Sequence, residues 1–456
     1  MRTRLWLWAA STALVAAAFG FGVTGCGDDD APLDSGSDTG AGDTGAGDTG
    51  VDAGPDTGTD AAADTGPQDT GVDAAVPCSP ACGECEACDM GACVSVGGAH
   101  AVESLNSGWY HLLAIDSDGV LFTWGENDNG QLGHGDAEDH LVATRLAGAE
   151  RWIAADGGSR HSCAVRDDHT MWCFGANVHG QLGTGDDVDQ LLPTQVGTDT
   201  NWIDVAAGGL HTCGLRSDGT AWCWGSNPAG QLGLGARSGD EHDPVEVIGD
   251  VTTWAKLSAQ TRHSCGIRLD QSMWCWGDSS NGQVGQGDTL DQRSPVAVMG
   301  GGTWARIYAG ALHTCSVNTT GELYCWGAND FGHLGLGDMT DRLVPARVGL
   351  ASDWGSIGAG FEHTCGVRGD GSAWCWGNAN FDQLGTGDTT VQTEPRRVGT
   401  ANDWAHAVAG YYHSCALTET GATLCWGDNV RGQQGGGPDL SARRPLPGPV
   451  CFAPAE

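Results

Sequence analysis

Seven copies of one stretch, each about fifty residues long, make up most of this chain. A histidine marks the same point in every copy, and successive histidines are 50, 50, 52, 50, 50 and 50 residues apart. A constant period of this length is typical of propellers and solenoids, in which each repeat buries its apolar face only against its neighbours. The repeat therefore constrains the fold more strongly than any single motif. These landmark histidines are His111, His161, His211, His263, His313, His363 and His413.

Within one repeat, apolar and polar residues alternate as they do in short antiparallel strands. In the segment 222–224 the two tryptophans share one face and the cysteine between them takes the other. If Cys213 pairs directly with Cys223, a three-residue loop remains, and its third position favours a positive φ. Two independent signals thus predict one hairpin register. Glycine holds the loop position in five repeats (Gly119, Gly219, Gly321, Gly371 and Gly421), and His169 and Gln271 hold it in the other two.

Two further strands flank this hairpin. Most repeats end in Pro-x-x-Val, as at 193–196, and proline is tolerated at the edge of a sheet. Four short strands, repeated seven times, predict an all-β fold, a seven-bladed β-propeller. Six repeats place a tryptophan nine residues before the histidine, at Trp152, Trp202, Trp254, Trp304, Trp354 and Trp404.

Six repeats also carry a cysteine at each of the two paired hairpin positions. Directly opposed residues on neighbouring strands bring their Cβ atoms within about 4.5–5.5 Å, so a little local closing allows a disulfide. Zinc would need two more ligands near each pair, and we expect neither a metal nor another cofactor. Free thiols are the remaining alternative. The predicted disulfides join Cys163 to Cys173, Cys213 to Cys223, Cys265 to Cys275, Cys315 to Cys325, Cys365 to Cys375 and Cys415 to Cys425.

Residues 1–25 have the features of a secretory signal peptide, because two arginines precede an apolar run. The sequence Val-Thr-Gly-Cys that ends at Cys26 resembles a bacterial lipobox, which implies that Cys26 is acylated and becomes the mature N-terminus. By the same resemblance, Gly27 favours export to the outer membrane. An uncleaved membrane anchor is the alternative. Either interpretation places the rest of the chain outside the cytoplasm, where disulfides persist.

Residues 26–77 are an acidic, low-complexity linker with 13 aspartates and no basic residue, for which we predict a disordered tether. A Cys-rich module follows at 78–96. Its five cysteines and Cys451 make an even set, which suggests that Cys451 ties the C-terminal segment to this module. The sequence does not choose among the possible pairings. The six residues are Cys78, Cys82, Cys85, Cys88, Cys93 and Cys451.

The propeller is assigned to residues 97–456. The net charge of the whole chain is −37, and a single lysine, Lys256, occurs in it. Since nucleic-acid binding needs a basic face, the sequence excludes that class of partner.

The motif Ala-Gly-x-x-His-Ser/Thr, followed by Asp-Gly, Trp-Gly-x-Asn and Gly-Gln-Leu-Gly, resembles the regulator of chromosome condensation repeat over about residues 97–450. The resemblance implies a seven-bladed propeller that closes by sharing strands between the chain ends. Founding members of that family exchange guanine nucleotides on a small GTPase and use a wedge inserted into one blade. The uniform spacing here leaves no room for a wedge. A secreted bacterial member inhibits β-lactamases through one face, a role closer to the compartment expected here.

The sequence shows no catalytic motif, neither a nucleophile elbow nor a phosphate-binding loop. A histidine that recurs in every blade is best explained as a packing and hydrogen-bonding element, so we assign no catalytic residue.

The two residues before each landmark histidine vary from blade to blade, and they should form a ring on one face of the propeller. Blades 6, 7 and 1 are neighbours in the closed ring and contribute a concentration of aromatic residues, the residue type that dominates many protein interfaces. Ordinary loop residues with incidental aromatics are the alternative. The candidate binding residues are Trp109, Tyr110, Arg160, Arg262, Phe361, Glu362, Tyr411 and Tyr412.

These observations predict a monomeric, lipid-anchored protein of the bacterial cell envelope, at the outer membrane or cell surface, that binds an unknown protein partner and is not an enzyme. The membrane contact would be made by the N-terminal lipid. Two alternatives remain, an envelope enzyme acting on wall polymer or polysaccharide, and guanine-nucleotide exchange by family analogy.

Overall fold

The computed structural model describes residues 86–89, 92–95, 100–236, 238–249, 252–437 and 443–453. The predicted signal peptide, the acylated Cys26 and the acidic linker lie outside these residues. Of the Cys-rich module the structure describes two backbone strands, β1 (Glu86–Asp89) and β2 (Ala92–Ser95), which pair antiparallel. No helix in the described ranges is long and apolar enough to cross a bilayer.

Seven four-stranded antiparallel sheets follow one another through the described part of the chain, each built from four consecutive strands. Blade 1 contains β3 (Val102–Ser107), β4 (His111–Asp116), β5 (Leu121–Gly125) and β6 (His140–Arg145). Blade 2 contains β7 (Trp152–Gly157), β8 (His161–Arg166), β9 (Met171–Gly175) and β10 (Gln190–Gln195). Blade 3 contains β11 (Trp202–Ala207), β12 (His211–Arg216), β13 (Ala221–Gly225) and β14 (Glu241–Glu246).

The remaining four blades repeat this order. Blade 4 contains β15 (Trp254–Gln260), β16 (His263–Arg268), β17 (Met273–Gly277) and β18 (Gln292–Ala297). Blade 5 contains β19 (Trp304–Ala309), β20 (His313–Asn318), β21 (Leu323–Gly327) and β22 (Arg342–Arg347). Blade 6 contains β23 (Trp354–Ala359), β24 (His363–Arg368), β25 (Ala373–Gly377) and β26 (Gln392–Arg397), and blade 7 contains β27 (Trp404–Ala409), β28 (His413–Thr418), β29 (Thr423–Gly427) and β30 (Arg444–Pro449). The predicted all-β, seven-bladed propeller is confirmed.

The hairpin between the second and third strands has the predicted register. Cys213 lies opposite Cys223, and the same pairing recurs in the other cysteine-bearing blades. The third loop residue adopts a positive φ, 82° at Gly219, and His169 (64°) and Gln271 (69°) adopt the same conformation without being glycine. The loop geometry is therefore common to all of these blades, and glycine only makes it less costly.

All six predicted blade disulfides are present, with Cα atoms 4.0–4.1 Å apart, between the paired cysteines named above. Blade 1 has Leu113 opposite Thr123 at this point. Cys451 is disulfide-bonded as well, to a residue other than the twelve blade cysteines, since these pair with one another. Its pairing with the Cys-rich module stays a prediction.

The apolar core lies between the blades. Each of the seven clusters of buried apolar residues found in the described chain draws its members from two consecutive blades, including blades 7 and 1. Trp202, at the start of an inner strand, packs edge to face against Trp224 with ring centres 5.9 Å apart. Burying one sheet face against the next sheet is the reason that a single repeat cannot fold alone.

Hydrogen bonds through the landmark histidines add to this packing. Thr212 Oγ1 donates to the carbonyl oxygen of Gln181 at 2.8 Å and so accepts from His161 Nε2, which lies 2.9 Å away. The indole nitrogen of Trp224 donates to the same Gln181 oxygen at 2.9 Å. Two residues of blade 2 and two of blade 3 thus form one buried network, and the same histidine-to-hydroxyl contact recurs between the other consecutive blades except blades 7 and 1.

The inner strands of consecutive blades lie side by side around the central channel. Each inner strand has a free edge, and side chains of the preceding blade cover part of it. Asp156 accepts from the backbone N–H of Ala207 at 2.9 Å, and Ser258 accepts from that of Ala309 at 2.9 Å. Pairing the exposed edge in this way removes a site at which another strand could add.

The ring does not close in the way that the family resemblance implied. Among the described residues, blade 1 and blade 7 each take all four strands from one end of the chain, and neither shares a strand with the other end. The C-terminal segment instead crosses to β6, where Phe452 forms an isolated parallel bridge with Ala143. The backbone N–H of Ala143 donates to the carbonyl oxygen of Cys451 at 2.8 Å, and the backbone N–H of Ala453 donates to the carbonyl oxygen of Ala143 at 2.8 Å. Because every repeat supplies a complete sheet, the ends are joined without strand exchange, by this short bridge together with packing and hydrogen bonds between blades 7 and 1.

Candidate functional site

The turns that precede the landmark histidines form a ring at one mouth of the channel, as the sequence predicted. The backbone N–H of Trp109 donates to the carbonyl oxygen of Gly158 in the next blade at 3.1 Å. The backbone N–H of Tyr411 donates to the carbonyl oxygen of Trp109 at 3.0 Å. The residue that follows the third strand of each blade lies beside this ring. In blade 1 that residue is Glu126, and its backbone N–H donates to the backbone carbonyl oxygen of Tyr110 at 2.9 Å. Both positions therefore contribute side chains to the same face.

Blade 4 departs from this pattern. Six blades have a glycine three residues before the landmark histidine, and a Cβ atom there would lie within 2.7 Å of the imidazole. In blade 4 the residue is Gln260, which extends strand β15 and pairs with His263. Its side-chain oxygen accepts the N–H of Thr261 at 3.1 Å. Gln260 thus projects into the channel mouth, and it is a site residue that the sequence analysis missed, although it is the one non-glycine residue at its repeat position.

The aromatic residues of blades 6, 7 and 1 form one continuous cluster on this face. Phe361 stacks on Tyr411 with ring centres 4.0 Å apart, and Tyr411 meets Tyr412 edge to face at 4.4 Å. Tyr411 also lies 5.1 Å from the Trp109 ring and 5.3 Å from the Tyr110 ring. All five side chains are partly exposed. The structure therefore brings together residues that are about 300 positions apart in the sequence.

A sixth ring extends the cluster beyond the predicted set. Phe381, in the loop between β25 and β26, stacks on Tyr412 at 4.1 Å. The guanidinium of Arg443 lies 4.7 Å from the centre of the Phe381 ring. Neither residue occupies one of the two positions before a landmark histidine, and only those positions were compared between repeats in the sequence. The sequence comparison therefore did not identify Phe381 or Arg443. We call Trp109, Tyr110, Phe361, Phe381, Tyr411 and Tyr412 the aromatic sector.

The other three predicted residues occupy different surroundings. Glu362 is beside the sector, where its Oε2 accepts from Asn378 Nδ2 at 2.7 Å, and burial raises the pKa of its carboxyl. Arg160 is exposed on blade 2, and its positive charge acts to lower the pKa of the Glu126 carboxyl of blade 1. Arg262 is exposed on blade 4, across the ring from the sector, and the structure does not bring it to the aromatic residues.

The channel mouth itself is narrow. Trp109, Phe361 and Tyr411 line it together with Gln260 from the opposite side. A larger groove of about 420 Å³ lies far from the sector, at the outer edge of blade 6, between Trp374, Asp388 and the arginines of β26. The sector is consequently a shallow surface at a narrow mouth and not a deep pocket.

The chemistry of the landmark histidines matches a structural role. Each is completely buried, and burial lowers the pKa of His211 to about 3. Their Nε2 atoms face hydroxyl groups of the neighbouring blade, as described above. In the described ranges, no group of three or more His, Cys, Asp or Glu side chains could hold a metal ion.

Comparison with known proteins identifies the repeats. A family model described as the RCC1-like domain matches residues 194–452, and models of the regulator of chromosome condensation (RCC1) repeat match residues 118–165 and 168–215. A second RCC1 repeat model matches 102–131 and 153–181. The ultraviolet-B receptor UVR8 of Arabidopsis thaliana is 41% identical over 49 residues, which is 11% of this chain and 11% of the receptor.

Two solved structures show the same fold at low identity. Prp20p of Saccharomyces cerevisiae, described with its binding to Gsp1p and histones, has a TM-score of 0.66 and 20% identity, covering 75% of this chain and 87% of the yeast chain. Human WBSCR16 has a TM-score of 0.64 and 20% identity, covering 72% of this chain and 88% of its own. Since the family model spans more than half of the sequence and the blades have the architecture that it describes, the chain belongs to the RCC1-like domain family.

Proposed function

We propose that this propeller is a non-catalytic scaffold that binds a protein partner through the aromatic sector. The observation that carries the proposal is the continuity of the sector, in which six partly exposed rings from three consecutive blades touch one another. Aromatic residues and arginine dominate the binding energy of many protein interfaces. Because disulfides and inter-blade hydrogen bonds already hold the sector in place, little conformational entropy would be lost on binding.

The kind of partner is supported by proteins of the same fold. Prp20p is described with its binding to Gsp1p and histones, and another solved structure contains Kap60 bound to yeast RCC1. At this level of identity the likeness does not transfer those partners. It supports the general use of the fold as a protein-binding platform.

The test is capture of a partner from the envelope and culture medium of the host by the oxidised full-length chain. The bait is compared with a Phe361→Ala/Tyr411→Ala/Tyr412→Ala variant. The matched control, Leu191→Ala/Leu192→Ala/Leu446→Ala, removes three exposed apolar side chains from outer strands. We expect the control to retain the partner and the sector variant to lose it.

Equal capture by the two variants would contradict a role of the sector. Turnover of wall polymer by the purified chain, lost on substitution of a single carboxylate, would contradict the non-catalytic part of the proposal. Thermal unfolding of both variants verifies that loss of capture does not reflect loss of the fold.

We further propose that the scaffold acts outside the cytoplasm, anchored to a bacterial envelope through a lipid on Cys26. The disulfides of blades 2 to 7 support this location, because such bonds persist in oxidising compartments. In cells supplied with an alkyne-tagged fatty acid, we expect the wild-type chain to carry the label and to fractionate with membranes. Cys26→Ser should abolish both properties. A variant that is labelled like the wild type would contradict the proposed lipid site.

A further inference from the structure

Two carboxyl groups are buried beside the aromatic sector, and burial raises the pKa of one of them, Glu126. Glu126 and Asp428 are each 3% exposed, and both lie close to Tyr110. Burial, followed by the proximity of Tyr412, Asp428 and Glu126, raises the pKa of Tyr110 to about 12. The backbone N–H of Glu126 donates to the carbonyl oxygen of Tyr110 at 2.9 Å and that of Asp428 to the carbonyl oxygen of Tyr412 at 3.0 Å, so both carboxyl groups belong to residues that adjoin the sector.

The described residues neutralise this charge only in part. Arg431 lies 3.9 Å from Glu126 Oε1, and it also pairs with Asp128 at 2.9 Å and Asp139 at 3.4 Å. One guanidinium thus faces three carboxylates. Glu126 Oε2 has no hydrogen-bond partner among the described residues. Because a buried carboxylate oxygen without a hydrogen-bond partner is costly, a further cationic donor near Glu126 would be stabilising.

One edge of the sector already shows how a cation is accommodated. Arg443 lies over the Phe381 ring at 4.7 Å, and its Nε is 3.8 Å from Asp428 Oδ1. The cation is held between an aromatic face and a buried carboxylate. Tyr110 offers a similar combination of ring and nearby carboxylates, and no described cation lies over its ring.

We propose that the aromatic sector binds a lysine or arginine side chain from a basic segment of the partner protein. This inference rests on the proposed function and specifies the partner's chemistry. A cation on the Tyr110 ring is attracted by its π electrons and by the field of the nearby Glu126 and Asp428. The net charge of −37 repels acidic partners and speeds the encounter with basic ones.

The probes are two labelled peptides of alternating glycine and arginine or alternating glycine and citrulline, the latter being a neutral analogue of similar shape. We expect the full-length chain to bind the arginine peptide about tenfold more tightly, as measured by fluorescence anisotropy. Glu126→Gln/Asp428→Asn should remove most of that preference, and Tyr110→Leu should do the same.

A control variant separates the effect of total net charge on peptide binding from the effect of the two buried carboxyl groups. The control, Asp187→Asn/Glu246→Gln, removes two exposed carboxylates from blades 2 and 3 and the same net charge. We expect it to keep the preference. Equal loss in both double variants, or no preference in the wild type, would overturn the inference. In either case partner capture by the aromatic triple variant still tests the scaffold on its own.

Discussion

His413 of blade 7 lies 3.2 Å from Ser107 of blade 1, and this hydrogen bond closes the ring of landmark histidines. At the other six blade interfaces the histidine contacts the hydroxyl that follows the next landmark histidine, as His161 does with Thr212. Blade 1 has Leu112 at that position, so it offers no hydroxyl there. Ser107, at the end of the inner strand, provides one from a different part of the blade.

Removing this hydroxyl should loosen the closure. We expect Ser107→Ala to lower the free energy of unfolding by about 1 kcal/mol, because the Nε2–H of the buried His413 then lacks an acceptor. Ser107→Thr, which keeps the hydroxyl, should retain most of that stability. The measurement is the urea midpoint of each variant. Equal stability of Ser107→Ala and the wild type would contradict the role of Ser107 in closure.

Acid should unfold the propeller over a narrow pH range. Burial lowers the pKa of His111, His161 and His413 to about 3, whereas an unfolded histidine titrates near 6.5. The stabilisation is complete above about pH 6.5 and is lost as the pH falls, by up to about 1.4 kcal/mol per histidine for each pH unit. The slope of unfolding free energy against pH gives the number of protons taken up, and we expect several. Uptake of fewer than about two protons would contradict burial of the neutral imidazoles.

Ionisation of Asp156 should lower the stability of the fold as the pH rises, which is opposite to the effect of the histidines. Burial in the channel wall raises its pKa to about 7, against the lowering effect of the N–H groups of Ala207 and Gly157. Its contribution to stability is largest below about pH 4 and falls as the pH rises towards 7. Asp156→Asn cannot ionise but can accept only one of the two N–H groups, so we expect its stability relative to the wild type to rise by roughly 1–3 kcal/mol between pH 4 and pH 8. The exposed Asp187→Asn is the control, and an effect of Asp156→Asn independent of pH would contradict the prediction.

Blade 1 should accept the disulfide that the other blades have. Leu113 and Thr123 are paired in the same register as the cysteines of blade 3. We expect Leu113→Cys/Thr123→Cys to oxidise spontaneously and to be about 2–3 kcal/mol more stable than Leu113→Ser/Thr123→Ser, because the bridge restricts the unfolded chain. Thiol titration and urea denaturation provide the readouts. A pair of free thiols in the folded protein would contradict the register.

Local features were predictable because they depend on neighbours in the sequence. Cys213 and Cys223 are ten residues apart, and the alternation of side chains in a hairpin, together with the loop glycine, is sufficient to align them. The aromatic sector was predictable in outline for a related reason. Residues at one position of the repeat must lie on one face of a symmetric ring, so Trp109, Tyr411 and Phe361 could be grouped before their contacts were known.

The sequence by itself thus determined the number of blades, the strand register, the blade disulfides and one face of the molecule. The tertiary structure decided how the ring closes, with Ser107 serving His413 and Phe452 bridging to Ala143. It also decided that Phe381 joins the sector and that Glu126 is buried beside it. These contacts join loops and chain ends that are remote in sequence and deviate from the repeat. Periodicity reports what the blades share, and only packing selects which of the differing side chains meet.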